Sequence, residues 1–143
     1  MRFPTTVSRG QWRPIVALRV VAPNGKQILV DALLDTGADT TLFTPAAAEL
    51  LQVDLSQIPE TPITSALGTI DSYQAVSLTL ELRRDSSLCR WTTNVGFVKR
   101  GLAYCILGTR GCFEFFRFDY DAQQRVFELH PNDALPSADR ESK

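Results

Sequence analysis

Asp35-Thr36-Gly37 is the part of this sequence best equipped for chemistry. An apolar run, Ala32-Leu33-Leu34, delivers the aspartate, and Ala38-Asp39-Thr40-Thr41-Leu42-Phe43 follows it. A carboxylate at a strand end, beside a glycine that lets the backbone turn tightly, can be hydrogen-bonded by the loop N–H groups and the Thr36 hydroxyl. Held that way, it can serve as a general acid or base. The competing reading is a plain strand ending in a Thr-Gly turn, where aspartate is frequent. Apolar residues on both flanks favour the first. Other catalytic equipment is sparse. His130 is the single histidine, so a Ser-His or Cys-His pair, or a His-rich metal site, would rest on one imidazole. Cys89, Cys105 and Cys112 are odd in number and lack C-x-x-C spacing, which fits buried reduced thiols better than disulfides or a metal site.

The elements that must position Asp35 read mostly as strands. Pro14 to Val21 and Lys26 to Leu34 are aliphatic and β-branched, and Asn24-Gly25 between them signals a hairpin whose second strand runs into Asp35. Thr44-Pro45, an N-cap followed by proline at the first helical position, starts a short helix over Ala46 to Leu51. Tyr73 to Leu82 alternates apolar and polar residues as a half-buried strand should, and Trp91 to Val98 can pair with it. Leu102 to Leu107, Phe113 to Tyr120 and Arg125 to Leu129 complete an all-β barrel or sandwich-like body, the last two joined by a turn at Asp121-Ala122-Gln123-Gln124. The aromatics Phe113, Phe115, Phe116, Phe118 and Tyr120 read as core or interface packing sooner than as a substrate pocket, as do Trp12 and Trp91.

Composition bounds the function classes. The 143 residues are 44% hydrophobic and 22% charged, enough for one domain with a core, and 15 basic against 16 acidic residues leave no electrostatic footprint for nucleic acid or an anionic membrane. No run approaches the ~18 apolar residues of a membrane span, and Phe3-Pro4-Thr5-Thr6 is no export signal, so the expectation is a soluble, cytoplasmic chain. The ends read as loose, above all the polar segment from Pro131 to Lys143.

With its flanks, Asp35-Thr36-Gly37-Ala38 resembles the active-site loop of the retropepsin-like aspartic proteases. Trp12-Arg13-Pro14-Ile15-Val16 is similar to the segment that opens retroviral proteases, and Ile106-Leu107-Gly108 to the apolar-apolar-Gly motif that packs behind the loop. Thr64 to Ile70 stands where that family carries its flap hairpin, with one glycine, Gly68, where retroviral flaps have several. The resemblance covers residues 12 to 129. It implies a single-domain closed barrel over 12–130 with a flap and one short helix, preceded by segment 1–11 and followed by the tail 131–143. It also implies catalytic roles for Asp35, Thr36 and Gly37, and substrate contacts from Gly37, Ala38, Asp39, Leu67, Gly68 and Thr69. No cofactor or metal is implied. Where the family pairs an arginine with the acidic residue of the loop, Thr109 intervenes here, so Asp39 would pair with Arg110, one place late, or with Arg13, the latter across a subunit interface.

One copy of the motif sets the mechanism. Aspartic protease chemistry uses two carboxylates sharing a proton, yet Asp71-Ser72-Tyr73 and Asp85-Ser86-Ser87 lack the glycine and the chain is too short for a second lobe. A symmetric homodimer would bring two copies of Asp35 together. The monomer should then be inactive, its dimer should cleave polypeptides, and activity should favour acidic pH because two close carboxylates cannot both ionise cheaply. The alternative is a catalytically silent dimerisation or peptide-binding module on the same fold. A metal-dependent hydrolase is weaker for want of a ligand cluster in the sequence.

Overall fold

The computed structural model describes residues 1–65, 68–135 and 140–142. In chain order its elements are β1 (Arg2–Pro4), β2 (Thr6–Ser8), β3 (Gln11–Arg13), β4 (Ile15–Val21), β5 (Gln27–Leu34), β6 (Leu42–Phe43) and α1 (Pro45–Leu50). Then follow β7 (Glu60–Ser65), β8 (Gly68–Arg84), β9 (Ser87–Val98), β10 (Cys105–Leu107), β11 (Phe116–Asp121), β12 (Val126–Pro131) and β13 (Arg140–Ser142).

Strands β9, β6, β10, β5, β4 and β8 are neighbours in that order, and β8 pairs back onto β9, closing a six-stranded barrel. Alternation explains the closure. Val16, Leu18 and Val20 of β4 and Leu78, Leu80 and Leu82 of β8 all turn inward and are buried, as period-two side chains on a curved sheet must be. The β4–β5 turn forms as its sequence predicts: Gly25 takes φ +86°, and Asn24 Oδ1 accepts the Lys26 amide at 2.9 Å. The amide nitrogen of the same Asn24 side chain donates to the Leu51 and Gln52 carbonyls at 3.0 and 3.2 Å, satisfying the end of α1. At the other end Thr44 Oγ1 accepts from the Ala47 amide at 3.3 Å, with Pro45 in the first turn.

Outside the barrel, β7 pairs only with β8, forming a hairpin at the flap position with a register shift between Ile63 and Thr64. A three-stranded sheet, β1–β12–β11, packs Phe116 edge-on against Trp91 with ring centroids 4.9 Å apart, joining its core to that of the barrel. Both ends of the chain contribute described strands. Phe3 is buried and stacks on Phe127 at 5.1 Å, so segment 1–11 is part of the fold. Pro131 ends β12, Leu135 is buried, and β13 pairs with Ser87 to Cys89, the stretch of β9 that β6 leaves open. The pairing of β13 is accounted for by the bare strand edge, which offers backbone partners.

Phe113 to Phe115 also depart from the strand reading. Gly111 at φ +99° turns the chain, and the Phe115 and Phe116 amides both donate to the Cys112 carbonyl, so extended structure begins at Phe116. Phe116 packs on Trp91 and Phe118 on Phe127 at 6.0 Å, in agreement with the core reading, whereas Trp12 is half exposed with Arg125 stacked over its ring at 4.3 Å.

Candidate active site

Asp35 leaves β5 beside β10, and the two strands run parallel with Leu34 opposite Leu107. The ladder continues one residue further: the Asp35 amide donates to the Leu107 carbonyl at 3.0 Å. Its carboxylate Oδ1 then accepts the Gly37 amide at 2.9 Å, and its carbonyl accepts the Ala38 amide at 3.1 Å. A Cβ on Gly37 would lie 3.2 Å from that Oδ1, so glycine keeps the turn unstrained. Backbone bonds stitch the rest of the loop to the segment after β10: Thr109 N–H to Ala38 O and Arg110 N–H to Asp39 O, both 2.9 Å. Thr41, fully buried, donates through Oγ1 to Arg110 O at 2.9 Å and accepts from the Gly108 amide at 3.1 Å. The loop is thereby a rigid mount with its aspartate at the rim.

That rim borders a cavity of about 770 Å³ lined by Asp35, Gly37, Ala38, Asp39, Thr40, Leu42, Thr61, Pro62, Ile63, Tyr73 and Arg110. Of the residues expected from sequence, Gly37, Ala38 and Asp39 stand here with Asp35, while Thr36 is exposed on the loop between them. Gly68 and Thr69 open β8 in the hairpin, paired with Ser65 and Thr64; Leu67 lies outside the described residues. The hairpin face of the cavity is built from Thr61, Pro62, Ile63 and Tyr73, none of which the sequence reading singled out. Period-two alternation places Tyr73 on one face of a strand but cannot say which loop faces it across the barrel.

The expected pairing of Asp39 differs. Arg110 donates from Nε and Nη2 to Thr40 Oγ1 at 3.3 and 2.9 Å, and no ion pair joins it to Asp39 among the described residues. Arg13 is also engaged elsewhere, donating to Ser8 O at 3.1 Å and lying over the Tyr104 ring.

No protein-family model matches the sequence, and no curated protein does. Solved structures do match. A retropepsin-like aspartic protease from Rickettsia conorii superposes with a TM-score of 0.62 at 16% identity, covering 90% of each chain. The chain has the retropepsin fold. Two further retropepsin structures align less closely, both with a TM-score of 0.46. EIAV protease complexed with the inhibitor HBY-793 shares 20% identity over 72% of this chain and 88% of that one. The retroviral protease-like domain of Ddi1 from Leishmania major shares 15% identity over 85% of this chain and 98% of that one.

Elsewhere in this retropepsin fold, two other groups bear on chemistry. Burial pushes the Cys112 thiol up to about 12 and the Cys105 thiol upward too, the latter partly offset by hydrogen bonds to Thr44. Neither supplies a thiolate nucleophile near neutral pH. His130 Nε2 lies 3.2 Å from Asp119 Oδ2 and 3.1 Å from Glu128 Oε2 on the β11–β12 sheet, a cluster the sequence reading missed because it is assembled across strands. Arg117, 3.2 Å from Asp119, and Arg2, 3.9 Å from Glu128, already compensate those carboxylates, and none of the three residues lines the cavity beside Asp35.

Proposed function

We propose that this chain is an aspartic endopeptidase whose catalytic dyad is Asp35 with the same residue of a second copy. The observation that supports it most is the mounting of Asp35. A carboxylate fixed at one oxygen by the Gly37 amide, and at its backbone by Leu107, borders a cleft roofed by a β-hairpin. An extended peptide fits such a cleft as an added strand, with main-chain bonds to Gly37, Ala38 and Asp39 below and to Gly68 and Thr69 above.

The chemistry follows from the pair. One Asp35 carboxylate takes a proton from water while the water oxygen bonds to the scissile carbonyl carbon. The other Asp35, protonated, gives its proton to the carbonyl oxygen. Collapse of the tetrahedral diol breaks the C–N bond: the Asp35 that took the water proton gives it to the departing amine, and the other Asp35 takes back a hydroxyl proton of the diol, which leaves as the carboxylic acid and restores the dyad. Thr36, exposed beside Asp35, would bond across to the partner loop and hold the two carboxyl groups in one plane.

Purified protein incubated with a peptide library at acidic and neutral pH, beside Asp35→Asn, tests this. Cleavage should be strongest at acidic pH and fall by about 10²-fold or more in the variant. Equal cleavage by both proteins defeats the proposal; binding without cleavage by the wild type leaves a silent peptide-binding module. Light scattering tests the assembly, since a monomer at every concentration is incompatible with the dyad.

A further inference from the structure

We propose that Arg110 makes this cleft selective for a peptide carrying an Asp or Glu side chain. The inference rests on reading the cleft as a peptide site and adds the chemistry of what it accepts.

Arg110 is the single cation among the described residues that line the cavity beside Asp35. It also lines an adjoining cavity of about 300 Å³ with Thr40, Tyr73, Asn94 and Glu114. The guanidinium is aimed by its contacts. Nε and Nη2 share one edge of the planar fork, and both donate to Thr40 Oγ1. The end edge, formed by Nη1 and the outer N–H of Nη2, remains for a bidentate acceptor, the geometry in which arginine grips a carboxylate.

No carboxylate among the described residues forms an ion pair with that end, although Asp35 and Asp39 line the same cavity. Asp39 meets only the Arg110 backbone, through its own carbonyl. The Glu114 carboxylate accepts the Gly111 amide at 2.8 Å and forms no ion pair with Arg110. The main chain of Arg110 is fixed by Thr41 through both N–H and Oγ1, so the side chain departs from a rigid base. A pre-oriented cation loses little entropy on capturing an anion. If two copies pair about a two-fold axis, the cleft carries one such cation toward each end, so an acidic residue is accepted on either side of the scissile bond.

Matched fluorescent octapeptides carrying Glu or Gln at each position in turn, titrated into the non-cleaving Asp35→Asn protein by anisotropy, give the test. At one or more positions Glu should bind at least 10-fold tighter than Gln, a ratio that shrinks as salt rises. Arg110→Met added to that protein should bring the ratio to about one, and Arg110→Lys should retain part of it. Melting curves show that the variants are folded. A ratio near one at every position without the substitution, or a preference that survives Arg110→Met, overturns the inference, as does failure to bind any peptide. Wild-type cleavage is scored separately: intact cleavage without acid preference sinks only this inference, while acid preference without cleavage sinks only the protease.

Discussion

Gly108 sits behind the aspartate loop where no side chain fits, and Gly108→Ala is the substitution that tests the rigid mount. A Cβ there would lie 2.7 Å from the carbonyl oxygens of both Ala38 and Thr40 and 2.8 Å from the Thr40 carbonyl carbon. All three are backbone atoms, so no rotamer change relieves the clash. The loop must move by several tenths of an ångström, loosening the bonds from Thr109 to Ala38 and from Arg110 to Asp39. Overpacking of this kind costs about 1–3 kcal/mol, and the strained hydrogen bonds place the expected loss at about 3 kcal/mol. With about 2.1 cal/mol/K of melting entropy per residue over 143 residues, that lowers Tm by about 10 °C. Gly101→Ala is the control, because nothing lies within 4 Å of its added methyl. Differential scanning calorimetry of both variants, with cleavage measured beside it, gives the comparison. A Gly108→Ala protein that melts within about 2 °C of wild type would refute the claim that the loop is held rigidly from behind.

Other perturbations probe the same framework. Thr41→Val leaves the Gly108 amide without the hydroxyl it donates to and should cost about 1–3 kcal/mol in urea unfolding, with Thr41→Ser costing less. Trp91→Phe removes a buried indole N–H donated to Gly111 O at 2.7 Å and should destabilise by a similar amount, about 1–3 kcal/mol, read by the same assay. Cys112, whose thiol rises in the fold from 9.0 to about 12, holds its proton where the unfolded chain has lost it. Its contribution is therefore complete below pH 9.0 and declines as pH climbs toward about 12, so Cys112→Ala should flatten the alkaline fall of stability across that window.

Local rules made the loop legible, and long-range pairing hid the rest. Asp35, Gly37 and the helix start at Thr44-Pro45 announce themselves because the turn and the cap each need particular residue types within a few positions. The β4–β5 hairpin is equally local, fixed by Asn24-Gly25. By contrast, Phe3 meets Phe127 across most of the chain, and nothing near either residue names the other. The pairing of β13 depends on which stretch of β9 is left bare, which is decided only once β6 has paired. At the site, Arg110 turns toward Thr40 and not toward Asp39, a choice of rotamer that residue spacing does not dictate. The hairpin wall of Thr61, Pro62, Ile63 and Tyr73 follows from register across a strand pair that sequence spacing does not reveal.

The length of β8 bears on how the cleft can open. From Gly68 to Ser72 this strand is laddered only to β7; from Tyr73 onward β9 is bonded along its other edge as well. The fulcrum of the hairpin therefore falls at Tyr73, whose ring lies against the Gly96 backbone and beside Leu42 on the cleft floor. Five residues of strand beyond it span about 17 Å, so each 10° of swing there would carry Gly68 about 3 Å. The same ring that forms part of the cleft wall thus also stands where the hairpin leaves the barrel, so an occupant pressing on Tyr73 would bear on the base of the roof.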